Sequence, residues 1–184
     1  RVDQRIEIFE NPAEEPDATP YQSVVHDRLQ SDLDLHFPGF RLEVQTAYQK
    51  NNRKEFEESD EREPGLNLVL KTGTTDIKLH HKPVGNLFGT VGISGMAQRN
   101  QTLAEEKLIP GFVLYNVAGF IYEELKLGSI NLSAGFRFDK RKLNTGALLE
   151  LNVDKQEKNY NALSGNLGIV WRISNPFAFS VNFG

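Results

Sequence analysis

Hydrophobic and polar positions alternate along much of the chain. In residues 129–139 the even positions are Ile130, Leu132, Ala134, Phe136 and Phe138, and the odd ones are Ser129, Asn131, Ser133, Gly135, Arg137 and Asp139. Period two, with one apolar face and one small or charged face, is the pattern of a β-strand whose two sides meet different surroundings. Residues 162–173 repeat it, with Leu163, Leu167, Ile169, Trp171 and Ile173 opposite Ser164, Asn166, Gly168 and Arg172. Phe177, Phe179, Val181 and Phe183 alternate with Ala178, Ser180 and Asn182. Near the front, Leu29, Leu33, Leu35 and Phe37 oppose His26, Arg28, Gln30, Asp32, Asp34 and His36. Beyond a break, Phe40, Leu42, Val44 and Tyr48 oppose Arg41, Glu43, Gln45 and Gln49. Two stretches are less regular. Residues 66–81 carry Leu66, Leu68 and Leu70 on even positions but Ile77 and Leu79 on odd ones. A bulge near Gly73 reconciles them, since one extra residue flips the register. Residues 112–124 are apolar on both faces for much of their length and also read as a strand.

Turn chemistry divides these segments unevenly. Short breaks fall at Pro38-Gly39, Pro83-Val84-Gly85-Asn86, Leu127-Gly128 and Ser174-Asn175-Pro176, where Gly, Pro and Asn supply turn dihedrals. Between them lie longer polar stretches at 10–20, 57–65, 100–110 and 143–159. A tight turn, a strand, a long charged loop and a returning strand therefore recur. This predicts an all-β, antiparallel, up-and-down sheet of about eight strands, with residues 2–9 offering a ninth.

A soluble sandwich also alternates, so strand length has to discriminate. The alternating segments run well beyond the five or six residues typical of globular strands. About 10 residues at a tilt near 45° cross a bilayer. Aromatic residues stand beside the short turns, Phe37 and Phe40 at one and Trp171 and Phe177 at another, as rings do at a membrane interface. The polar face holds His26, Arg28, Asp32 and Asp34 on one strand, and such a row needs water or partners. A transmembrane β-barrel with a wet lumen meets both demands, its short turns at one end and its long loops at the other. Eight strands close a small barrel, but side chains fill that interior, and this charge would require an extensive ion-pair network. An arc of a larger barrel is the alternative.

Composition removes other classes. The chain has 184 residues, a net charge of -4 and no cysteine. It therefore offers no basic footprint for nucleic acid, no disulfide framework and no thiolate site. With a mean hydropathy of -0.45, it has no apolar run approaching the ~18 residues of a spanning helix. No serine, histidine and acid set has a catalytic arrangement, and no cofactor motif is present. Gly89, Gly92 and Gly95 are followed by no helix, so they suit close approach along a strand better than a phosphate loop.

Four histidines raise the question of a metal. His80 and His81 are neighbours on a strand and point to opposite faces. His26 and His36 share a face but lie roughly 33 Å apart along it. His26 is the one metal-ligand candidate, through carboxylates brought from other strands or loops; otherwise it is a solvated histidine. Arg28, Arg41, Arg137 and Arg172 are candidate lumen-facing residues. They either guide an anionic chelate or pair with Asp32, Asp34, Glu43 and Asp139, also candidate lumen residues, on neighbouring strands. The acidic run Glu55, Glu57, Glu58, Asp60, Glu61, Glu63 and the pair Glu105-Glu106 read as solvated loops, or as cation-attracting ones.

Several stretches resemble the barrel of the TonB-dependent outer-membrane receptors. They are His26-Asp27-Arg28-Leu29 continuing to Leu35, Tyr48-Gln49-Lys50-Asn51-Asn52-Arg53-Lys54-Glu55-Phe56, Gly92-Ile93-Ser94-Gly95-Met96-Ala97-Gln98-Arg99-Asn100 and Leu108-Ile109-Pro110-Gly111-Phe112. Ser133-Ala134-Gly135-Phe136-Arg137-Phe138-Asp139-Lys140-Arg141 and Asn161-Ala162-Leu163-Ser164-Gly165-Asn166-Leu167-Gly168 extend the likeness over nearly all of the chain from Tyr21 onward. The resemblance implies a 22-strand type of barrel, of which residues 1–184 form a fragment without the N-terminal plug domain. It implies energy-coupled uptake of a scarce nutrient (a metal ion, siderophore or haem-like complex) in the bacterial outer membrane. The implied partners are membrane lipid and lipopolysaccharide, a small metal-containing ligand, and the TonB energy-coupling protein, engaged through the missing N-terminal region. A fragment of this kind exposes open sheet edges through which it self-associates. The competing readings are a complete eight-stranded adhesin or anchor and a soluble lipocalin-like binding module.

Overall fold

The computed structural model describes residues 2–7, 20–57, 63–104, 107–148 and 152–184. Most of the polar stretch beginning at Glu10 lies outside the described residues, as do Glu58, Asp60 and Glu61 of the acidic run and the Glu105-Glu106 pair.

Nine strands follow one another: β1 (Val2–Glu7), β2 (Tyr21–His36), β3 (Phe40–Phe56), β4 (Leu66–Val84), β5 (Leu87–Thr102), β6 (Phe112–Leu127), β7 (Ile130–Thr145), β8 (Gln156–Ser174) and β9 (Phe177–Phe183). They form one antiparallel sheet in chain order, and no helix interrupts them among the described residues. β1 and β9 are its two edges and do not pair with each other, so the sheet is open. The pairing of first and last strands that a complete small barrel requires is not found.

The short connections match the turn chemistry. Gly85 and Gly128 take positive φ of 63° and 59°, a region that only glycine enters without a Cβ penalty. Phe37 and Phe40 stack across the Pro38-Gly39 turn with ring centroids 4.6 Å apart. At the opposite end several strands reach into stretches whose polarity predicts loop. Asn100 to Thr102 belong to β5, Leu143 to Thr145 to β7 and Gln156 to Asn159 to β8. Their backbone groups are satisfied by the neighbouring strand, so polarity there marks surroundings rather than strand end.

The bulge near Gly73 is not present. Gly73 pairs with Tyr48 in an unbroken β3–β4 ladder, and register shifts occur only between His81 and Val84 and between Arg172 and Ser174, beside turns. Leu66, Leu68 and Leu70 consequently share the polar face with Lys78 and His80, opposite Glu55, Arg53 and Asn51. β4 runs for 19 residues, far more than a bilayer crossing needs, so its loop-side end is free of the facing rule that governs the rest.

Register fixes the faces, because directly opposed residues lie on the same side. Glu43 opposes Lys78, Lys78 opposes Gly92, Gly92 opposes Phe120, Phe120 opposes Arg137 and Arg137 opposes Ser164. The opposite face is mostly apolar near the short turns from β2 to β9, His81 on β4 and Glu123 on β6 being the exceptions. Its side chains are uncovered: Leu29 is 73% exposed, Phe136 53%, Leu167 61%, Trp171 46% and Phe183 76%. The buried apolar side chains among the described residues are only Leu66, Val69, Ala118 and Leu148. A sheet one layer thick with an uncovered, largely apolar face has no core of its own.

Candidate functional site

The polar face carries two side-chain networks. The first crosses β2 to β5 close to the short turns. Arg41 donates through Nη1 to Asp34 Oδ1 at 2.8 Å and lies 3.4 Å from Glu43 Oε2. Lys78 donates to Glu43 Oε1 at 2.8 Å and to Gln45 Oε1 at 3.2 Å. His80 Nε2 is 3.2 Å from Glu43 Oε2, and its Nδ1 is 2.8 Å from Thr90 Oγ1. A carboxylate only accepts, so the His80 ring carries its hydrogen on Nε2. Glu43 is thus held by three basic side chains from its own and the adjacent strand.

The second network spans β5 to β7. Arg137 grips Asp139 with Nε to Oδ2 at 2.7 Å and Nη2 to Oδ1 at 2.9 Å, and Nη2 also donates to Ser94 Oγ at 3.0 Å. Asn116 donates to Asp139 Oδ1 at 3.2 Å and accepts from Arg141 Nε at 3.2 Å. The Phe120 ring lies over Gly92, where a Cβ would collide with it, and the Arg137 guanidinium sits 5.9 Å from the ring centroid. Beside this network Leu114, Asn116, Asp139, Arg141, Leu143 and Tyr160 line a concavity of about 490 Å³. Fixed charges and amides around such a hollow suit a small polar ligand, and the donor set holds no nucleophile poised by a base.

Register brings His26, Arg28, Asp32, Asp34, Arg41, Glu43, Arg137, Asp139 and Arg172 to this one face. Arg41, bonded to Asp34 on the neighbouring strand, makes the kind of cross-strand arginine–acid pair that charge suggests, whereas the other three arginines do not. Arg28 donates to Gln30 Oε1 at 2.6 Å, and Gln30 donates in turn to Asp32 Oδ2 at 3.0 Å. Asp139, the partner of Arg137, is two residues along the same strand, a spacing that a pleated strand turns to one side. Arg172 has no side-chain partner among the described residues. His26 Nδ1 lies 3.4 Å from Asn51 Nδ2. Among the described residues no three His, Asp or Glu side chains converge to hold a metal ion.

Spacing alone does not mark Lys78, His80, Thr90, Ser94, Asn116 or Arg141. The usable signal is parity, because Lys78 and His80 stand two apart on one face of β4, opposite Glu43 and Arg41. His81 faces the other way, and its Nε2 reaches Glu123 Oε2 at 3.1 Å on the apolar face, across Gly89. Of the glycines spaced by three, Gly89 and Gly92 make room for Glu123 and Phe120, while Gly95 faces open space.

No protein-family model matches the sequence, nor does any curated protein. Solved structures do match. The FrpB iron transporter of Neisseria meningitidis (F5-1 variant) superposes with a TM-score of 0.72 at 14% identity, over 90% of this chain and 28% of that one. The ferric yersiniabactin uptake receptor FyuA of Yersinia pestis gives a TM-score of 0.63 at 12% identity, over 89% of this chain and 28% of that one. The copper transporter OprC gives 0.62 at 11% identity, over 89% and 29%. This chain therefore spans less than a third of the length of the structures it matches. Its fold is that of an antiparallel up-and-down stretch of wall from the barrel of TonB-dependent receptors, which it resembles. These neighbours are transporters and receptors rather than enzymes. The chain's uncovered apolar face is of the kind that a transmembrane barrel turns to lipid.

Proposed function

We propose that the chain forms about nine strands of the single barrel domain of an outer-membrane receptor. The plug domain belongs to another part of the protein, and the receptor imports a scarce nutrient by energy coupled through TonB. The observation that carries this reading is the pairing of an uncovered apolar face with a hydrogen-bonded, charged face over the same strands, in a fold shared with transporters of iron, ferric yersiniabactin and copper. The apolar face meets lipid and the charged face lines the lumen. Arg28, Asp32, Asp34, Arg41, Glu43, Arg137, Asp139 and Arg172 then line the path of the cargo. A metal ion, a siderophore or a haem-like metal complex is the cargo that best fits a lumen bearing both signs of charge. His26 is the candidate to touch such a metal.

The test is uptake in cells with and without the gene, under iron, zinc and copper limitation in turn, using labelled iron as ferric siderophore or haem, labelled zinc and labelled copper. Loss of uptake of one of these on deletion, restored by the gene, supports the proposal. Unchanged uptake of all of them, or recovery of the protein from the aqueous phase without detergent, refutes it.

A further inference from the structure

The apolar face carries a feature that import does not use. Tyr48 and Tyr115 stand in one cross-strand row with only Gly73 and Ala97 between them. Both rings are about half exposed. The small residues leave a groove of about 550 Å³, walled by Leu29 and Tyr48 on one side and by Tyr115 and Val117 on the other, with Gly73 and Gly95 in its floor. A Cβ added at Gly73 or Gly95 meets nothing within 4 Å, so the floor opens outward.

One row further toward the long loops, on the same face, Lys50 opposes Lys71 and Lys71 opposes Arg99. Adjacent strands are about 4.8 Å apart, so three cations stand within about 10 Å of one another. Like charges directly opposed destabilise a sheet. None of the three side chains makes a hydrogen bond or ion pair among the described residues, and Asp27, opposite Lys50, is engaged with a partner of its own. On the polar face Arg41, Lys78 and Arg137 each meet a carboxylate, whereas the three cations of this row meet none among the described residues and leave compensation to a group from outside. Because an apolar groove begins one row below, that group is an anion attached to hydrocarbon. Tyrosines at the interface with cations just above them also fit the depth of a headgroup.

We propose that Lys50, Lys71 and Arg99 bind the phosphate of a phosphorylated, acylated lipid of the surrounding leaflet, with one of its acyl chains lying in the groove between Tyr48 and Tyr115. The proposal rests on the apolar face meeting lipid, but it is independent of which nutrient is carried.

The protein purified in a zwitterionic detergent is titrated with bisphosphorylated lipid A, its phosphate-free form and inorganic phosphate, with binding read by native mass spectrometry. Wild type binds the bisphosphorylated lipid at least tenfold more tightly than the phosphate-free lipid, and inorganic phosphate at millimolar concentration leaves it bound. The triple variant Lys50→Gln, Lys71→Gln, Arg99→Gln loses the preference for phosphate. Gly73→Leu, or Gly95→Leu in a second variant, fills the groove and weakens both lipids at least fivefold while the preference persists. Wild-type binding by the triple variant, indifference of wild type to phosphate, or inorganic phosphate bound as tightly as the lipid overturns the assignment. Insertion of wild type into neutral phosphatidylcholine vesicles is measured alongside. Its failure rejects the lipid-facing reading, whereas insertion without phosphate preference rejects only the site.

Discussion

An arginine walked along one strand measures what the apolar face touches. On β8 that face runs from Leu163 to Ile173. Ten residue steps at about 3.3 Å give roughly 33 Å along the strand. Tilted near 45°, this is about 23 Å of depth, close to the ~25 Å height of a barrel's apolar belt. Leu167, 61% exposed, is then close to the bilayer midplane, Ile173 is at the short-turn interface, and Asn161 is beyond the belt on the loop side. Leu167→Arg is expected to cost about 2–4 kcal/mol, Ile173→Arg about 0–1, and Asn161→Arg close to nothing. The assay is equilibrium unfolding of each variant by guanidinium in phosphatidylcholine vesicles, comparing midpoints at constant slope. A face bathed in water instead gives changes within about 0.5 kcal/mol at all three positions. A face packed against protein gives large losses without a maximum at the middle. Either profile refutes the lipid-facing argument.

Gly92→Ala puts a Cβ 2.8 Å from the Ile77 carbonyl oxygen, which the sheet holds in place, and against the Phe120 ring; unfolding midpoints should fall by about 1–3 kcal/mol. Glu43→Gln removes the negative charge and one of the two acceptor oxygens shared by Lys78, His80 and Arg41, and a loss near 1 kcal/mol is expected on this wet face, to be read by the same unfolding assay. Arg137→Lys keeps the charge but not the fork that spans Asp139 and Ser94; hydrogen exchange at the β5–β7 amides should rise several-fold, and unchanged exchange would show that the fork is dispensable.

The alternation in β2, β7, β8 and β9 was legible in the sequence because each of those strands separates two different surroundings along most of its length. Turn positions were legible for a local reason, since Gly85 and Gly128 need dihedrals that few residues adopt. β4 misled where its environment changes along its length. Leu66, Leu68 and Leu70 suggest a register break, but the ladder runs straight through Gly73 and the leucines simply lie on the other face. Face assignment for Arg28, Glu43 or Arg137 needs only parity. Partners need register between segments some 35 residues apart, as for Lys78 and Glu43, and no single strand encodes that. The row of Lys50, Lys71 and Arg99 is invisible for the same reason, as each sits alone within its own segment.

Each strand touches only the strand before it and the strand after it. Among the described residues only four apolar side chains, Leu66, Val69, Ala118 and Leu148, are buried. Such a wall cannot collapse around itself in water the way a two-layered domain does. If the apolar face meets lipid as proposed, the second layer is the hydrocarbon itself, and acquiring shape and entering the membrane are then one process.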